Sequence, residues 1–201
     1  MTGFRSSVFA CFAAAFTLSV ACTERRSDAP APASVVLPVS AIEDSLLAIP
    51  VVGGLRPRAV LFVDASCPNS MYALEQAMAD RSVASQLAIS YYPQVVRDPV
   101  ARFETTALEC ARQLGALSQY VTQRLDDAGR GGRAVELSAG AVGIDTARFM
   151  QCVADPRTES VIDRHQAFAE RYGVSVLPLL VHQDASTVGR DSVIEAFTRL
   201  K

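Results

Sequence analysis

Lysine is almost missing from this chain. Lys201 is the only one in 201 residues, so every other positive side chain is arginine. That bias reads as GC-rich coding and not as a binding feature. Neither sign of charge is in strong excess, since the formal net charge is −2. This removes the electrostatic footprint of a nucleic-acid binder. Eleven glycines and ten prolines are too few for a fibrous repeat, and a hydrophobic fraction of 50% is too high for a disordered chain. No internal repeat is visible. Histidine occurs only at His165 and His182, with no carboxylate or cysteine at ligand spacing, so no metal and no cofactor is expected. His165 lies on an apolar stripe and reads as a packed core residue. Gly53-Gly54 and Gly131-Gly132 lack the strand-Gly-helix setting of a phosphate loop and read as turns.

What is present divides the chain into three stretches. Residues 1–21 read as an export signal: Arg5 gives a short positive start, and Val8 to Val20 is an uncharged, mostly apolar run. A membrane-spanning helix needs about 20 apolar residues, so this run fits a signal better. It ends in Ser19-Val20-Ala21-Cys22, where an ordinary signal peptidase or a lipoprotein peptidase could cut at the same bond. Cysteine at this boundary favours the second, with Cys22 as a lipidated N-terminus and a membrane anchor. Residues 22–40 are rich in Pro, Ala and Ser and form a flexible tether. Residues 41–201 are long enough for one domain with a sizeable core.

The five cysteines are Cys11, Cys22, Cys67, Cys110 and Cys152. Cys11 leaves with the signal and Cys22 begins the mature chain, so the domain keeps three. In an oxidising compartment three cysteines mean one bridge and one thiol, or an intermolecular bridge, and spacing alone leaves three pairings open. Cys110 and Cys152 both lie in segments of helical periodicity facing the core, whereas Cys67 stands at a strand-to-helix junction. That context assigns a structural Cys110–Cys152 bridge and leaves Cys67 as the thiol.

Apolar patterning sets the order of elements. Arg58–Asp64 is a nearly continuous apolar run, expected as a buried central strand. Cys67-Pro68-Asn69-Ser70 opens a helix carrying Met71, Leu74 and Met78, with Pro68 in the first turn. Leu87–Tyr92 is a second strand. Val100, Phe103, Ala107, Leu108, Ala111 and Leu114 then trace one helical face, and Leu117, Val121 and Leu125 another, up to a break at residues 129–133. Asp145 caps a short helix with Phe149 and Cys152. Val161, Ile162, His165, Phe168 and Tyr172 stripe the next, which ends at Gly173. Val174–Val181 reads as a strand with Pro178 inside it, Gln183–Thr187 as a turn leading to a short strand at Val188, and Asp191 as the cap of a closing helix. The class is α/β with a helical insertion over about 98–172.

This order, with Cys-Pro at the first helix and a proline on a late strand, resembles the DsbA-like branch of the thioredoxin superfamily. Asp64-Ala65-Ser66-Cys67-Pro68 is similar to the family's Asp-aromatic-x-Cys-Pro segment, and Ala169–Val174 to the approach to its cis-proline loop. The resemblance implies a thioredoxin-like fold, a nucleophilic Cys67 at the positive end of a helix, and a cis bond at Leu177-Pro178 facing it. It implies a substrate groove at Pro68 and Leu177. Some family members carry a second, structural disulfide in the insertion, in agreement with Cys110–Cys152.

Three departures bear on function. Ser70 stands where the resolving cysteine belongs, Leu61 where a buried acid belongs, and Leu177 where threonine or valine usually precedes the proline. Without a second sulfur at residue 70 the site cannot store a dithiol/disulfide couple. The implied activity is monothiol exchange or isomerisation through Cys67, with Ser70 able to donate a hydrogen bond to its thiolate. The partners would be exported proteins or thiols held as mixed disulfides, in the periplasm or cell envelope. The competing expectation is a redox-inactive binding module that holds a partner in the cis-proline groove.

Overall fold

The structure is a computed structural model and describes residues 49–50, 57–92, 98–129, 131–132, 134–183 and 185–201. The expected signal, the tether and Cys22 lie outside the described residues. Five strands form one sheet in the order β1-β3-β2-β4-β5: β1 (Ile49–Pro50), β2 (Ala59–Val63), β3 (Leu87–Tyr91), β4 (Leu179–His182) and β5 (Ala185–Val188). β2 runs parallel to β3 and antiparallel to β4, while β1 and β5 are antiparallel edges. The β2–β3 connection carries α1 (Pro68–Ala79) and the short α2 (Arg81–Ala84). Between β3 and β4 comes the helical insertion: α3 (Pro99–Gln113), α4 (Leu117–Gly129), α5 (Val135–Ala141), α6 (Thr146–Val153) and α7 (Pro156–Arg171). α8 (Arg190–Ala196) and a 3-10 turn at Phe197–Leu200 close the chain.

Every residue of β2 is fully buried, which is why its sequence reads as a continuous apolar run. The two-residue period of a strand sends alternate side chains to opposite faces. Ala59, Leu61 and Val63 join a core with Met71, Leu74 and Ala77 of α1 and the inner faces of α3, α4 and α8. Val60 and Phe62 join a smaller one with Phe168 and Ala169 of α7 and Leu179 and Val181 of β4. Phe62 stacks on Phe168 with ring centroids 6.0 Å apart. The result is a sheet covered by helices on both faces.

The insertion departs from the patterning in instructive ways. Gly115, at φ +77°, breaks what reads as one long helical region into α3 and α4. Val100 and Phe103 share the helical period of the core residues but are exposed, at 62% and 39%. They lie on the first turns of α3, beyond the point where another helix covers that face. Cys110 of α3 and Cys152 of α6 are joined by a disulfide with a Cα–Cα distance of 5.8 Å, and Tyr120 of α4 packs on Phe149 of α6 at 5.7 Å.

The C-terminal part holds three corrections. Ladder pairing begins only at Leu179, so the expected strand over Val174–Val181 shortens to Leu179–His182. Pro178 has no N–H to give to a ladder, and the strand starts after it. The short strand expected at Val188 is present as β5, and it begins earlier, at Ala185, inside the segment expected as a turn. The closing helix takes Gly189 as its N-cap, at φ +88°, and Asp191 lies inside the first turn.

Candidate functional site

The turn after β2 is held by a carboxylate. Asp64 is buried, and its Oδ1 accepts from the Ser66 backbone N–H at 2.8 Å and from the Ser66 hydroxyl at 2.7 Å. The Cys67 N–H donates to the Asp64 carbonyl at 3.1 Å, and the Met71 N–H donates to the Cys67 carbonyl at 3.0 Å. This Asx turn converts the end of a central strand into the first turn of α1 within three residues. Cys67 is the N-cap of α1, with extended backbone angles, and Pro68 follows in the first helical turn.

The chain offers an internal comparison. α3 and α7 also begin with proline, and their N-caps are aspartates whose carboxylates accept the N–H of Val100 and Arg157, at 2.8 and 2.9 Å. At α1 the same place is taken by a thiol, and no side chain caps the helix. The Cys67 side chain is not in a disulfide and is 1% exposed.

Ser70, one turn on, is fully buried, and its hydroxyl has no hydrogen-bond partner. The expected bond from Ser70 to Cys67 is therefore not made in this structure. Leu61, at the place of the expected acid, is fully buried among apolar side chains. Leu177-Pro178 is a cis peptide bond. The β2–β4 register pairs Phe62 with Leu179, which puts Pro178 at the end of β2 from which the Cys67 turn springs. The Gly189 N–H donates to the Pro178 carbonyl at 3.0 Å. Leu177 is 8% exposed and belongs to the smaller core, whereas neighbouring Val176 is 38% exposed.

A cavity of about 240 Å³ opens beside the turn. Ala65, Ser66, Pro68 and Met71 line it from the side of β2 and α1, and Val100, Glu104, Arg124 and Leu125 from the insertion. Pro68 is thus at a cavity, but its companions there are insertion residues, and Leu177 is not in the lining. Sequence reading missed Val100, Glu104 and Arg124. Only Val100 carried a signal, as an apolar residue off the covered part of its helix. Arg124 donates to Glu104 Oε1 at 2.6 Å and to the Ser138 hydroxyl at 3.2 Å, which in turn donates to Asp127 at 2.6 Å. Burial raises the Glu104 carboxyl above its ordinary range, opposed by Arg124.

A second polar group is buried between β3 and the insertion. His165 Nδ1 accepts the Tyr91 backbone N–H at 3.3 Å, and the Tyr91 hydroxyl donates to Glu109 at 3.0 Å. Arg112 and Gln113 complete the bonding of the Glu109 carboxylate. Burial pushes His165 down to about 4, so at neutral pH its ring is uncharged and its proton is on Nε2. This network ties β3 to α3 and α7 and serves packing.

The sequence matches no known family model and no curated protein. Solved structures do match in fold. The thiol-disulfide exchange protein alpha-DsbA2 from Wolbachia pipientis superposes with a TM-score of 0.59 at 16% identity, covering 81% of this chain and 91% of that one. The oxidoreductase DsbA from Xylella fastidiosa gives 0.54 at 16%, covering 79% and 90%. Proteus mirabilis DsbA with a non-covalently bound peptide, PWATCDS, gives 0.53 at 14%, covering 77% and 90%. At these identities the likeness is one of fold, and the fold is the DsbA-like thioredoxin fold with its helical insertion.

Proposed function

Taking the DsbA-like fold as the premise, we propose that this chain carries out monothiol thiol–disulfide exchange, of isomerase type, through Cys67 on exported proteins. The observation that carries the reading is the cap of α1. A thiolate at Cys67 would accept the helix N–H groups that Asp98 and Asp155 serve at α3 and α7, and it would stand at the positive end of the helix dipole.

The chemistry then runs with one sulfur. The Cys67 thiolate attacks one sulfur of a substrate disulfide, a Cys67–substrate bond forms, and the second substrate sulfur leaves as a thiolate with the electron pair. Ser70 has no sulfur with which to displace the substrate. If a thiol of the substrate itself attacks the bound substrate sulfur, Cys67 leaves as a thiolate and the substrate departs with a different disulfide and no net redox change. If an outside thiol attacks Cys67 Sγ, the substrate leaves reduced and a second attack by such a thiol restores Cys67, so the outside thiol is oxidised. Pro68, Leu177 and Pro178 would hold the peptide beside Cys67, and the non-covalently bound peptide on the Proteus mirabilis neighbour supports peptide binding by this fold.

The proposal extends to place. The apolar run of Val8–Val20 ending at Cys22 supports export and a lipid anchor in the cell envelope. The Cys110–Cys152 disulfide agrees with an oxidising compartment. Among the described residues no helix is long and apolar enough to cross a membrane.

A second reading draws on the 1% exposure of Cys67 and on Leu61 at the acid position: a redox-inactive module that holds a partner in the same groove. Recovery of activity by a scrambled-disulfide protein, in a glutathione buffer, separates the two. Exchange chemistry requires that the purified chain speed recovery and that Cys67→Ser abolish the effect. Equal rates with wild type, Cys67→Ser and no added protein would leave the binding module.

A further inference from the structure

We propose that the cavity between the Cys67 turn and the insertion is a subsite for a cationic side chain, lysine or arginine, next to the reacting cysteine of a peptide substrate. This rests on the reading that peptides approach Cys67. Pro68, Met71, Val100 and Leu125 give the cavity apolar walls that suit an aliphatic stem, and Glu104 and Arg124 give it one polar wall. The sign of the preferred charge follows from how those two are engaged. Arg124 already donates to Glu104 through one terminal nitrogen and to Ser138 through the other. Glu104 is bonded through Oε1 alone, and among the described residues Oε2 takes no hydrogen bond. A further cation satisfies the remaining Glu104 oxygen, whereas an anion would meet a guanidinium already in use. The placement is selective because Ser66 and Pro68, the neighbours of Cys67, form one rim.

The test uses peptides of sequence Ala-Ala-Xaa-Ser-Xaa-Ala-Ala, with Xaa lysine, norleucine or glutamate, titrated into the full chain by calorimetry or NMR. Serine in place of cysteine lets binding be read with no exchange at Cys67. The subsite can therefore fail while the exchange reading stands, and the reverse. The lysine peptide should bind about tenfold more tightly than the norleucine peptide, the size of one charge-assisted hydrogen bond, with glutamate weakest. Glu104→Gln should erase the advantage of lysine over norleucine. Equal affinity for lysine and norleucine, tighter binding of glutamate, or a lysine preference that survives Glu104→Gln would each overturn the proposal. Should Glu104→Gln not fold, the wild type decides alone. NOEs from the lysine methylenes to Met71, Val100 and Leu125 are expected, and their absence in the bound complex overturns it.

Discussion

Replacing Ser70 with alanine should stabilise the protein. The hydroxyl is fully buried on the inner face of α1 and makes no hydrogen bond. Leaving a buried hydroxyl unsatisfied costs about 1–3 kcal/mol. Alanine removes that cost, and its higher helix propensity adds a few tenths of a kcal/mol. Against this stands a void the size of one oxygen, lined by residues of a well-packed core, which gives back about 0.5 kcal/mol. The net expectation is a gain of about 1–2 kcal/mol by urea unfolding at constant m value, or roughly 2–4 °C in Tm per kcal/mol for a domain of this size. A parallel readout is the rate at which native Cys67 is alkylated. It should change less than about twofold, on the argument that no Ser70–Cys67 hydrogen bond is present to lose. A loss of stability of more than about 0.5 kcal/mol would refute the reasoning, because it would mean that the hydroxyl is satisfied in solution, for example through a buried water.

Ser70→Cys should form a disulfide with Cys67 and give the protein insulin-reducing activity, and Leu61→Glu added to it should raise the rate by supplying a proton carrier; a folded Ser70→Cys protein without that bond would show that the two positions cannot meet. Replacing Cys110 and Cys152 by alanine together opens a crosslink of sequence separation 42 and should cost about 2–4 kcal/mol, measured by urea unfolding. Stability should fall with acid in a window set by His165. Its pKa is about 4 in the folded chain and near 6.5 unfolded, so between these values the unfolded state binds the extra proton. The stabilisation is full above about pH 6.5 and is lost as pH falls toward 4, by about 3 kcal/mol in total, while His165→Gln should flatten that part of the profile. A wild-type profile that is already flat there would contradict the buried neutral ring.

The fold was legible in the sequence because its central strand is buried on both faces and several helix starts carry a local signal. Asp145 is a cap that was read from residue type and position, and the structure shows it accepting the Arg148 N–H, whereas Asp191, read the same way, lies inside its helix. Pro178 was legible as special, but the strand boundary beside it was not, since apolar residues continue through Val174–Leu177 without ladder pairing. Val174 and Leu177 are buried in the smaller core with Phe168 and Ala169 of α7, while Val176 is exposed. The site was only half legible. Cys67 announces itself by Cys-Pro at a strand-to-helix junction, whereas the cavity beside it depends on where α3 and α4 pass over the turn. Glu104 and Arg124 are twenty residues apart on different helices, and nothing in their local sequence distinguishes them from solvated charges. The burial of Cys67 was also invisible, because a helix-start position says nothing about what lies over it.

The central claim is that the Cys67 sulfur exchanges with disulfides while the protein is folded. Intact-mass analysis after incubating the native chain with a peptide disulfide, in wild type and Cys67→Ser, tests it most directly. The account predicts one peptide adduct, localised to Cys67, removed by added thiol and absent from the variant, with the Cys110–Cys152 bridge retained throughout. An adduct that appears only when denaturant unfolds the chain would contradict it, and would make Cys67 a buried structural cysteine.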